Sequence, residues 1–63
     1  MFIELTDHDG GRVIVRYKVI NEMWPTHPGG TNVHLTGGRM IWAKESVEDI
    51  LGLISEARDY KDL

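Results

Sequence analysis

Seven residues of this chain combine types that could do chemistry together. Arg12, Arg16 and Lys18 fall on one face of a predicted strand, and Trp24, His27, His34 and Trp42 lie around a central hairpin or on the strands beside it. Planar rings stack on nucleobases and cations meet phosphates, so this set suits a nucleotide-like ligand, more so if a second subunit completes the surface. The same side chains have a plainer reading. In a small sheet, tryptophans such as Trp24 and Trp42 serve as core or subunit-interface residues, and a strand face of Arg and Lys is solvated.

Other chemistries find less support. The serines are Ser46 and Ser55, neither in a nucleophile-elbow setting, and there is no cysteine. His8 in a turn, His27 in a loop and His34 on a strand are too scattered for a zinc cage within one subunit, so they read as solvated histidines. The pairs Gly10-Gly11, Gly29-Gly30 and Gly37-Gly38 open no helix, which sets them apart from phosphate loops and marks them as turn formers. Asp7 and Asp9 likewise belong to a turn rather than to an acid–base pair. The expectation is a non-catalytic protein with no catalytic residues, no metal site and no cofactor.

The elements that must position the seven residues follow from periodicity. Phe2 to Thr6 alternates with Ile3 and Leu5 on one face, and Asp7-His8-Asp9-Gly10-Gly11 supplies a tight connection. From Arg12 to Val19, Val13, Val15, Tyr17 and Val19 oppose Arg12, Ile14, Arg16 and Lys18. The alternation runs on into Ile20 to Trp24, too far for one flat strand, which predicts a turn or sharp bend near Lys18 to Asn21. Pro25-Thr26-His27-Pro28-Gly29-Gly30 is a loop stiffened by two prolines. Thr31 to Thr36 alternates up to the Gly37-Gly38 turn. In Arg39 to Lys44, Met40, Trp42 and Lys44 oppose Ile41 and Ala43.

The period then changes. Val47, Ile50, Leu51, Ile54 and Ala57 form an apolar stripe at helical spacing, with Ser46 as N-cap and Asp49 three residues on. Glu48 and Asp49 suit the positive end of the helix, and Arg58 and Lys61 the negative end. Gly52 lies off the stripe, where it weakens the helix or permits a close contact. The fold class is therefore α+β: a single domain over 1–63, with a bent antiparallel meander of four or five strands within 2–44 and one amphipathic helix over 46–60.

Sixty-three residues leave no room for a second domain or a large cleft. Up to Lys44 there are five bases against four acids; beyond it, two bases against six acids, which argues against duplex nucleic acid as a partner. No apolar run is long enough to span a membrane, and no secretory signal is evident, so a cytoplasmic location without membrane insertion is expected. Two tryptophans, three methionines and a second apolar strip of Ile14, Ile20 and Met40 exceed what one helix can cover, and predict a homo-oligomer.

The opening Phe2-Ile3-Glu4-Leu5-Thr6, the Asp9-Gly10-Gly11 turn, the strand and turn from Thr31 through Val33 and Leu35 to Gly38, and the run Lys44-Glu45-Ser46-Val47-Glu48-Asp49-Ile50 resemble the FlbD-like family of small bacterial and phage proteins. The resemblance spans about residues 2–54. It implies a protein-interaction role without catalysis, as in flagellar accessory factors, or the inhibition of a host protein by a phage. The segment Met23 to Gly30 departs from that pattern by its aromatic, proline and histidine content. That departure favours a third expectation, a phage-type sponge that sequesters a nucleotide-derived immune signal.

Overall fold

The computed structural model describes residues 1–26 and 29–61. Ile3 and Leu5 turn inward from strand β1 (Phe2–Thr6), which pairs antiparallel with β2 (Arg12–Arg16), so that Ile3 faces Val15 and Leu5 faces Val13. The opposite face of this ribbon carries Phe2, Glu4, Arg12, Ile14 and Arg16 into solvent. β2 stops at Arg16, where Tyr17 N–H donates to the Met1 carbonyl (3.3 Å) and a 3-10 turn over Tyr17–Val19 redirects the chain. The bend thus begins before the predicted one, and Lys18 sits in the turn rather than on the strand face with Arg12 and Arg16.

Strands β3 (Ile20–Pro25), β4 (Thr31–Leu35) and β5 (Met40–Ala43) form a second antiparallel sheet in the order β3-β4-β5. Its register shifts between Ile20, opposite Leu35, and Glu22, opposite His34. This bulge at Asn21 changes the parity of the strand. Ile20 and Met23, three residues apart, both pack against the core, which strict alternation forbids. Ile20 therefore leaves the expected outer strip, whereas Ile14 and Met40 remain well exposed.

Three hairpin turns share one hydrogen-bond pattern. Asp7, Thr26 and Leu35 each donate a backbone N–H to the carbonyl four residues on, and each accepts from the N–H three residues on. That fourth turn residue is Gly10, Gly29 or Gly38, each at φ between 90 and 109°, a left-handed conformation that glycine adopts without Cβ strain. One glycine of each pair thus supplies the left-handed position that the turn requires.

The two sheets meet where Asp7 bridges Ala43 and Lys44 N–H donates to the Thr6 carbonyl at 2.8 Å. Within the second sheet, Thr36 N–H donates to the Val19 carbonyl at 2.8 Å and extends the β3–β4 pairing by one step. Between the sheets lie Ile3, Leu5, Val15, Val33, Ile41 and Ala43, and the helix α1 (Val47–Lys61) inserts Ile50 among them. The fully buried Thr31 donates its hydroxyl to the Glu45 carbonyl (2.7 Å), and the Ser46 hydroxyl caps α1 by accepting Asp49 N–H at 3.1 Å.

The buried stripe of α1 runs through Ile50, Leu53, Ile54 and Ala57. Leu51 instead is 52% exposed. Both assignments obey the i, i+3, i+4, i+7 spacing, and packing against the core selects the one that starts at Ile50. An added Cβ at Gly52 meets nothing within 4 Å, so this glycine serves no close contact.

Candidate functional site

The outer face of the three-stranded sheet is an aromatic surface. Register places Trp24, Asn32 and Trp42 in one row across β3, β4 and β5, with Glu22, His34 and Met40 in the row beside it. Alternation puts all six away from the core. Trp24 and Trp42 keep 43% and 42% of their surface exposed, more than a core tryptophan would. The Trp24 ring meets the His34 ring edge-on, with centroids 4.4 Å apart and planes at 69°.

At the β1 side of this face lies a groove of about 300 Å³, bordered by His8, Thr26, Gly30, Trp42, Ala43 and Lys44. Its volume stands at the lower end of pockets that hold small ligands, roughly 300–1,000 Å³. The Asp7–Ala43 bridge builds it: one step further along the antiparallel register brings His8 opposite Trp42. The imidazole then lies flat on the indole, with centroids 3.7 Å apart and an interplanar angle of 2°. Trp42 Nε1–H makes a long hydrogen bond to Thr26 Oγ1 (3.4 Å). Gly30 abuts β5 so closely that a Cβ would collide with the Ala43 carbonyl oxygen. Its role is close packing, beyond the turn chemistry its pairing with Gly29 suggests.

The structure divides the seven residues singled out by sequence. Trp24, His34 and Trp42 share the aromatic face. Arg12 and Arg16 stand on the outer face of the β1–β2 ribbon, where each is engaged locally. Arg12 donates to both Glu4 carboxylate oxygens, at 2.5 and 2.8 Å, and Arg16 lies over the Phe2 ring, 5.6 Å from its centroid. The hydrogen bond from Arg12 holds the Glu4 carboxyl below its ordinary pKa and raises that of Arg12. His27 lies outside the described residues. The basic residue that borders the aromatic groove is Lys44, which the sequence assigned only to a strand.

Sequence reasoning also passed over His8 and Thr26 as turn residues. The turn assignment of His8 is right, but His8 and His34 are not merely solvated, since each packs on a tryptophan. Nothing in local alternation pairs β1 with β5, so no signal of that kind points to the His8–Trp42 stack. A second groove, about 190 Å³, opens between β2 and the β4–β5 turn, with apolar walls and with Arg16 and Arg39 among its lining. Among the described residues no group of three or more metal-ligating side chains occurs, and no helix is long and apolar enough to cross a membrane.

No protein-family model, curated protein or solved structure matches the chain. The geometry of the groove is thus the ground for its function.

Proposed function

We propose that the protein is a small non-catalytic binding protein, cytoplasmic and homo-oligomeric, that sequesters a nucleotide-like ligand at the groove between His8, Trp42 and Lys44. The single observation that carries this reading is Trp42, pinned and half-exposed, already holding a planar ring in parallel contact at the mouth of a ligand-sized groove. A ring of a ligand takes the same kind of contact, Lys44 meets its anionic group, and Thr26 Oγ1 is close enough to Trp42 to contribute a polar contact. The ligand leaves chemically unchanged, as in the sponges by which phages hold nucleotide-derived immune signals. A 300 Å³ groove takes one nucleotide unit; a larger signal such as a cyclic dinucleotide needs the groove of a second subunit as well.

The test is calorimetry over a panel of nucleoside monophosphates, ADP-ribose derivatives and cyclic dinucleotides, followed by heat release and identification of what was bound. Binding of at least one member, recovered intact and lost in Trp42→Ala, supports the reading; absence of binding across the panel overturns it. The exposed side chains of Trp24, Met40 and Trp42 on adjacent rows of this face favour a second reading, a protein-docking surface of the kind the FlbD-like resemblance implies, whether for a flagellar component or for a host protein inhibited by a phage. In that case Trp24→Ala and Met40→Ala abolish partner binding, and the nucleotide panel is silent.

A further inference from the structure

We propose that the His8 imidazole occupies the place of the ligand's own ring on Trp42, so that binding exchanges one stacked ring for another and favours purine-sized anions over monocyclic ones. The proposal rests on the reading of this groove as a nucleotide-like ligand site and specifies what the site selects.

The argument begins with the geometry of the pair. A spacing of 3.7 Å with planes within 2° is full face-to-face contact, the relation a flat heterocycle adopts on an indole. The two partners differ in how firmly they are held. Trp42 stands on β5, opposite Asn32 of the adjacent strand, and its ring nitrogen donates to Thr26. His8 is the second residue of an exposed turn, and among the described residues no hydrogen bond holds its imidazole. Its backbone N–H donates to Asp7 Oδ1 at 2.8 Å, and the turn is closed by Asp7 N–H to the Gly11 carbonyl and by Gly10 N–H to the Asp7 carbonyl. Every bond that shapes the turn thus lies outside the ring.

Rotation of the His8 side chain therefore uncovers Trp42 without opening the turn, and exposed side chains change rotamer within nanoseconds. The exchange is selective because stacking grows with overlap. A ring the size of imidazole gains nothing by replacing imidazole, whereas a bicyclic purine covers more of the indole. Lys44, on the same border, adds attraction only for ligands that carry a negative charge.

Adenosine 5′-monophosphate, cytidine 5′-monophosphate, adenosine and ribose 5-phosphate are titrated into the native protein, His8→Ala and His8→Phe by calorimetry. The imidazole proton signals of His8 are followed by NMR. The expected result is purine monophosphate binding in all three proteins, tightened about three- to tenfold in His8→Ala, the range one exposed aromatic pair supplies, and not tightened in His8→Phe. The His8 signals, shifted upfield by the Trp42 ring in the free protein, return to ordinary positions at saturation. Equal or weaker binding by His8→Ala, or signals still upfield at saturation, overturns the exchange while leaving the ligand site in place. No purine binding by any of the three overturns the site itself.

Discussion

The carboxylate of Glu45 accepts the backbone N–H of Thr6 on both oxygens, at 2.8 and 3.0 Å, across 39 residues of chain. With the Thr31 hydroxyl on its backbone carbonyl, Glu45 fastens the end of β1, the start of β4 and the approach to α1 at one point. Burial opposes its ionisation, but the bonds from Thr6 outweigh that, and its pKa lies below the ordinary 4.5. A carboxyl whose value is lowered by folding contributes stability fully above its unfolded value, and that contribution is lost as pH falls through the folded value. Glu45→Gln is expected to destabilise the fold by about 1–2 kcal/mol at pH 7, the range of a charge-assisted bond discounted for partial exposure. Urea titrations at pH 7 and pH 3 check it: the gap between native and variant closes at the lower pH.

The helix face is tested by a pair of truncations. Ile50 is fully buried and Leu51 is half-exposed. Ile50→Ala is expected to remove about 2–5 kcal/mol, most of the stability available to a domain of this size, whereas Leu51→Ala stays within about 0.5 kcal/mol. Thermal unfolding followed by circular dichroism separates the two, and equal effects would restore the stripe through Leu51.

Two glycines should respond in opposite directions. Gly52 lies mid-helix in open space, so Gly52→Ala is expected to stabilise by about 0.5–1 kcal/mol. At Gly30 the new methyl group meets the Ala43 carbonyl, and Gly30→Ala is expected to destabilise by about 1–3 kcal/mol. Melting temperatures of the two variants give the signs directly.

Charge at the proposed ligand site should reside in Lys44 rather than in the arginines of β2. Lys44→Ala is expected to weaken binding of a nucleoside monophosphate about tenfold, the loss of one charge-assisted contact. Arg12→Ala, remote in the sheet order and already bonded to Glu4, leaves that affinity unchanged. Calorimetry on the two variants decides it, and the reverse ranking would move the site to the β1–β2 ribbon.

Strand positions, the three turns and the Ser46 cap were legible because each depends on residues within a few positions of one another. Alternation set Ile3 with Leu5, and Ile41 with Ala43, on one face of their strands, and these are the buried faces. Parity through Asn21 was not legible, because a bulge is set by what Ile20 and Met23 meet across the core. The same limit hid the groove. His8 and Trp42 are neighbours only because β1 and β5, first and last in the meander, are bridged at Asp7 and Ala43. The arginines misled for a related reason, since outward-facing side chains on one strand were assumed to share a surface with outward-facing rings on another sheet.

The bulge at Asn21 also bears on how the protein avoids polymerising. β3 is the outer strand of its sheet, so one flank faces away from β4 and could template pairing with the same strand of another copy. A register break near one end and Pro25, which lacks an N–H, at the other leave only a short straight stretch for such pairing. Glu22 places a like charge within that stretch in every copy. A chain without Asn21 would keep Ile20 opposite Leu35 and pair evenly along β3, lengthening the straight edge. Its characteristic failure would be fibril growth from β3 rather than simple unfolding.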